Sequence, residues 1–230
     1  MEHLGRSIDA YCERIDASFW SEPLNAVTNL AFIVAAVAAL VLWRRRGGGD
    51  PATMALIVVV FAVGAGSFAF HTVATVGASL ADIIPIAIFI YGYFWMAMRR
   101  YLGLGPVAGV AATLAFVAAS MAISRGLGGV LGSSAGYAPA LIAMLGLGVF
   151  LLARRHPAGP GLIAAGAVFT LSLAARMADA PACAMLPVGT HFLWHILNAV
   201  VLYILLATAI RVAGRRASQA VSAGAAEKPR

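Results

Sequence analysis

The chain has 230 residues, of which 62% are apolar and 11% charged. That is more apolar surface than the core of a soluble domain of this size can hide, so much of it must face lipid, and an independent soluble domain is excluded. The formal charge of +7 would suggest nucleic acid in a soluble protein. Here the arginines sit at the ends of apolar runs and no nucleic-acid motif accompanies them, so the charge reads as membrane topology.

Residues 1–23 are polar and acidic, without the basic start and apolar core of a signal peptide. Seven apolar runs follow, near 24–43, 52–71, 82–98, 105–124, 137–153, 160–178 and 191–210. Each is close to the ~20 residues that cross a bilayer. In lipid a main chain must satisfy its own polar groups, so these runs predict helices; the alternation of a membrane barrel is absent. The predicted fold class is therefore all-α, a polytopic membrane protein built as a seven-transmembrane helix bundle.

Basic residues follow alternate runs: Arg44, Arg45 and Arg46 after the first, Arg99 and Arg100 after the third, Arg154 and Arg155 after the fifth. Arg211, Arg215, Arg216, Lys228 and Arg230 follow the seventh. The positive-inside rule then puts the N-terminus outside and the C-terminus inside. The chain divides into an acidic outer segment (1–23), a membrane domain (24–212) and a small, polar inside tail expected to be disordered (213–230). GGGDP at 47–51 predicts an inside turn, and GLGGVLGSSAG at 126–136 a flexible outer loop.

Against this apolar background a few polar residues stand out. Ionisable groups in membrane helices are costly and usually face a cavity or a partner. His71 ends the second run with Ser67 one helical turn before it, Asp82 opens the third, and His191 and His195 open the seventh. With the topology above, all five fall at similar depth on the outer side. Residues four apart share one helix face, so His191 and His195 can ligate one ion, and Ser67 lies on the face of His71. Three imidazoles with an open position for water suit zinc over other metals. The competing reading is that histidines near helix ends merely sit at the interface, and His3 and His156 fit it. Trp194, Phe192, Trp95 and Tyr93 read as packing or interface anchors.

Glu13, Asp16 and Glu22 crowd the N-terminal segment with Arg14 as basic company. Hard carboxylates of this kind gather calcium, or simply form an acidic outer face. The two cysteines, Cys12 and Cys183, both fall outside by topology. They are either a disulfide or two buried thiols, and geometry decides. Arg176 and Asp179, three apart, can pair on the sixth helix.

GAGSFAFH, then ADIIP, then HFLWHI near the C-terminus, resemble the motifs of the alkaline ceramidases, members of a superfamily of seven-helix membrane hydrolases that includes the adiponectin receptors. YCERIDASFWSEPLNAVTNLAFI is similar to the start of the same family. The resemblance runs from Tyr11 to about Tyr203. It implies a zinc-dependent intramembrane amidase that cleaves ceramide or a similar lipid amide to a fatty acid and a sphingoid base. His71, His191 and His195 would be the zinc ligands, Asp82 the acid that handles the proton of water, and Ser67 the hydroxyl that steadies the oxyanion. It also implies a calcium site in the N-terminal segment, with Glu13 and Glu22 matching and Asp16 a substitute oxygen donor, although the family's acid before the aromatic residue is Ala10 here. The partner would be a membrane lipid and the location, in a bacterium, the inner membrane with the metal site toward its outer face.

Two other readings remain from the residues alone. One is a haem-binding membrane protein, because intramembrane histidines also ligate haem. The other is a non-catalytic metal-binding membrane protein. The sequence does not name the acyl chain, the sphingoid base or an oligomeric state.

Overall fold

The computed structural model describes residues 2–226, and side chains over 3–214. It is all-helical, with no strand among the described residues. The helices are α1 (Pro23–Thr28), α2 (Leu30–Arg45), α3 (Pro51–Val73), α4 (Val76–Arg100), α5 (Pro106–Leu131), α6 (Ala138–Ala153), α7 (Gly159–Ala182) and α8 (His191–Ala226). Among the described residues, six stretches are long and apolar enough to cross a membrane. One of these, Pro106–Ala153, joins α5 and α6 through a 3-10 turn at Gly132–Tyr137 and contains two of the expected runs. The outward faces carry exposed aliphatic residues such as Val34, Ile88, Leu114 and Leu171. A multi-pass membrane protein is the architecture these surfaces require.

Two expectations differ from what is observed. The glycine-rich stretch 126–136 is helical, completing α5 to Leu131 and continuing as the 3-10 turn. Glycine's poor helix propensity costs about 1 kcal/mol per residue, and leaving main-chain groups unpaired in an apolar environment costs more. Helix α8 runs on to Ala226, through most of the segment expected to be a disordered tail. Its alanine-rich sequence favours continued helix. Residues 227–230 lie outside the described residues.

Pairing of α3 with α4 and of α7 with α8 dominates the packing, and α2 lies against both α3 and α8. The core along these contacts includes Phe32, Ile57, Val60, Leu162, Phe169 and Leu206. At one end, Asp50 caps α3 through the Thr53 amide. Arg100 bonds the Asp50 carboxylate, the Thr53 hydroxyl and the Ala209 carbonyl there, tying α3, α4 and α8 together.

At the opposite end the N-terminal segment is laid across the bundle. Ser7 and Thr75 form an isolated antiparallel bridge: the Ile8 amide donates to the Ala74 carbonyl (2.7 Å) and the Val76 amide to the Arg6 carbonyl (3.0 Å). Ala74, which ends α3 with a left-handed φ of 47°, turns the chain so that its carbonyl is available for this pairing.

Candidate metal centre

The centre begins with a close approach of α3 and α4. Pro85 lies inside α4 and has no N–H, so the Ala81 carbonyl one turn earlier loses its helical donor. Gly66 of α3 packs on that carbonyl. A Cβ at Gly66 would stand 2.0 Å from the Ala81 oxygen, well inside contact distance. The next residue on each helix is a candidate site residue, Ser67 on α3 and Asp82 on α4. The glycine thus lets the two helices bring hydroxyl and carboxylate together. Ser67 and Asp82 line the same cavity.

The start of α8 supplies two imidazoles. Gly189 has a φ of +61°, and a Cβ there would collide with Asp179. Buried Asp179 accepts from the main-chain amides of Thr190 (2.7 Å), His191 (2.9 Å) and Cys12 (3.1 Å). A carboxylate on these free amides satisfies the first turn of α8 and favours its dipole. It fixes where His191 and His195 enter the bundle. The expected pair between Arg176 and Asp179 does not form. Arg176 instead bonds the hydroxyls of Ser133 and Ser134 (2.9 and 2.8 Å), because Asp179 is occupied by three amides.

His71, His191 and His195 come together as a buried triad. Each offers a ligand atom within 4.8 Å of the others, the one such group found among the described residues. Ring centroids are 4.6 Å apart for His71–His195, 4.7 Å for His191–His195 and 5.2 Å for His71–His191. The Nδ1 atom of His71 lies 2.6 Å from Glu22 Oε2. The Nδ1 atom of His195 lies 3.0 Å from the Thr28 hydroxyl, which bonds in turn to the Leu24 carbonyl (2.8 Å). When Nδ1 donates to such a partner, Nε2 is left with its lone pair toward a metal. The Tyr11 ring stacks on His191 with centroids 3.6 Å apart.

Three imidazoles are a donor set that fits zinc with a fourth position open. Two buried polar atoms here have no hydrogen-bond partner, His191 Nδ1 and Asp82 Oδ1. Unpaired polar atoms are costly to bury and mark a place where a ligand completes the site. Ser67, Asp82, His191 and His195 line one cavity with mostly apolar walls. It continues along the bundle past Phe89 and Leu162 to Leu205. The arrangement joins a histidine cluster that could hold a metal, an acid and a hydroxyl to an apolar slot.

A family model described as Ceramidase matches residues 7–153. The chain belongs to the ceramidase family. The matched region of this ceramidase-family chain holds Ser67, His71 and Asp82, whereas His191 and His195 lie beyond it and are joined to the others by the fold. No curated protein matches the chain.

The N-terminal residues take up several roles. The Sγ atoms of Cys12 and Cys183 are bonded, with their Cα atoms 5.4 Å apart. Glu13 accepts from the main-chain amides of Leu24 (2.7 Å) and Asn25 (2.8 Å), capping α1 from a distance. Asp16 is exposed and accepts from Ser18, an interaction that holds its carboxyl below the usual range. Glu22 is buried; burial raises a carboxyl's pKa, but His71 and Arg14 outweigh this and hold it below the usual range. Glu13, Asp16 and Glu22 do not converge as the histidines do.

Sequence reasoning missed Thr28, Tyr11 and the tie from Glu22 to His71. The NAVTN run that contains Thr28 was visible as part of the family resemblance. Its contact with a histidine 167 residues away was not.

Proposed function

We propose that this ceramidase-family chain is a zinc-dependent intramembrane hydrolase that cleaves the amide of ceramide or a ceramide-like lipid, giving a fatty acid and a sphingoid base. The observation that carries this reading is the histidine triad, two of whose members, His191 and His195, line an apolar cavity together with Asp82 and Ser67. His71, His191 and His195 would hold the zinc, which supplies a Lewis acid that acidifies water near neutral pH and polarises a carbonyl.

The chain's own residues do the rest. The apolar cavity takes an acyl chain and so brings the amide to the polar end, where orientation alone lowers the barrier. Asp82 takes the proton of the attacking water on its unpaired Oδ1 and returns it to the leaving amine nitrogen. The Ser67 hydroxyl donates to the oxygen that becomes negative as the carbonyl is attacked. Glu22 and Thr28 hold the orientation of His71 and His195. Tyr11, stacked on His191, covers the polar end from the N-terminal side.

In this reading the chain crosses the membrane seven times, with α1 and α2 acting as one span and α5 and α6 as two. The arginine distribution puts the N-terminus and the metal end outside. The haem alternative is disfavoured by the spacing of the rings: centroids 4.6–5.2 Å apart leave no slot for a macrocycle between any two of them.

The test compares purified wild type with His71→Ala on a panel of ceramides and other lipid amides, with zinc quantified in both. Wild type should release fatty acid and carry one equivalent of zinc, and His71→Ala should lose both. Wild type that holds zinc and releases nothing from any lipid amide would leave the non-catalytic metal-binding reading in its place.

A further inference from the structure

The family resemblance implies a calcium ion in the N-terminal segment, held by acids that include Glu13 and Glu22. The oxygens of these residues are already committed. Both Glu13 oxygens accept main-chain amides of α1. Glu22 Oε2 faces His71 Nδ1 at 2.6 Å and receives Asn25 Nδ2 at 3.2 Å. Glu22 Oε1 receives Arg14 Nε at 2.5 Å. The Asp16 carboxylate is exposed and turned to Ser18. Calcium needs 6–8 oxygens at about 2.3–2.6 Å around one point, and these acids present no such point.

A cation does stand among them, and it belongs to the chain. The Arg14 side chain is buried. Its Nε donates to the Glu22 carboxylate, its Nη1 to the Asp16 carbonyl (3.1 Å) and its Nη2 to the His71 carbonyl (3.1 Å). One carboxylate and two main-chain carbonyls are the oxygen types that calcium sites use. Here a planar guanidinium collects them through its fixed fork of donors. A divalent ion beside Glu22 would also be repelled by the guanidinium charge.

We infer that Arg14 takes the structural place of calcium in this chain, cross-linking the N-terminal segment, α1 and the end of α3 with an internal cation. Arg14 is then a positioning residue that acts through Glu22. It holds Oε1 so that Oε2 stays on the Nδ1 atom of His71, while its bond to the His71 carbonyl fixes the main chain of the same residue. The centre would be independent of calcium and would depend on Arg14 instead. The link to zinc rests on the reading of His71 as a ligand; the claim about calcium does not.

The experiment uses full-length protein in detergent, with thermal unfolding followed during calcium titration and EGTA treatment. Zinc affinity is measured in parallel by competition with a chromophoric chelator. Wild-type Tm should not move with calcium or EGTA. Arg14→Ala should unfold at lower temperature and bind zinc about 10–100-fold more weakly, the scale of losing an outer partner of a metal ligand. Millimolar calcium should raise the Tm of Arg14→Ala and not of wild type, because removing the guanidinium vacates the three oxygens. Should Arg14→Ala fail to fold, Arg14→Lys keeps the charge but not the fork and should show the same weakening in smaller degree. A saturable rise of wild-type Tm with calcium would overturn the inference, as would wild-type zinc affinity in the Arg14 variants. No calcium response in a folded Arg14→Ala would also overturn the claim that the two cations share one place. If wild type bound no zinc at all, the zinc reading would fail while the calcium arms still decided this one.

Discussion

The Oε2 atom of Glu22 lies 2.6 Å from the Nδ1 atom of His71, with both side chains buried. With Nδ1 donating to that carboxylate, Nε2 is kept for a metal, and in the reading of His71 as a ligand the carboxylate also raises its basicity. Glu22 thus belongs to the support of the histidine centre, although residue type alone grouped it with the acids of the N-terminal segment.

Replacing Glu22 by Gln keeps the acceptor but removes the charge, and replacing it by Ala removes both. Zinc affinity should fall in both variants, more in Ala, with a loss of about 10–100-fold. Chelator competition on purified protein measures it. Equal affinity in wild type and Glu22→Ala would show that the contact does not orient a ligand.

Ser67 and Asp82 should affect turnover more than metal content. Ser67→Ala and Asp82→Asn should each lower kcat by about 10²-fold or more, the scale of losing one oxyanion donor or one proton-handling group, and retain the metal. Turnover and bound zinc are read on the same preparations. A variant that loses zinc and activity together would place its residue among the supports of the metal.

Gly66→Ala puts a methyl group against the Ala81 carbonyl, 2.0 Å from its oxygen. The α3–α4 contact must open to admit it. We expect a loss of about 1–3 kcal/mol in stability, as for overpacked cores, together with slower turnover from a displaced Asp82. Thermal unfolding and steady-state rates check the two effects. An unchanged Tm would mean that the helices can separate there without strain.

The bond between Cys12 and Cys183 spans 171 residues and anchors the residue next to Tyr11. Removing a cross-link over so long a loop should cost about 2–5 kcal/mol. Cys12→Ser should therefore lower Tm, and dithiothreitol should do the same to wild type but not to the variant. Mass spectrometry of non-reduced protein shows whether the thiols are paired; two free thiols would remove the cross-link.

The separation between local and distant information is plain in the last turn of α3 and the first of α8. Apolar runs of membrane-spanning length dictated helices, since a main chain in lipid has no other way to satisfy its polar groups. Ser67, His71, Asp82, His191 and His195 stood out for a related reason, because polar side chains in such runs are costly without a use. Even the glycine-rich 126–136 stretch obeyed the first rule over its own weak propensity.

The composition and polar spacing of the sequence by themselves determined an all-helical chain of apolar spans and the residues with chemistry to offer. Only the tertiary structure decided their partners. Glu22 meets His71 across 49 residues, Thr28 meets His195 across 167, and Asp179 caps the helix of His191 rather than pairing with Arg176. Arg14 reads in sequence as one base among acids, and in the fold its guanidinium bonds the Glu22 carboxylate and the main-chain carbonyls of Asp16 and His71. Helical periodicity fixes which residues share a face within one segment. Which faces then meet depends on close approaches such as Gly66 on Ala81, where the absence of a Cβ sets how near two helices can come.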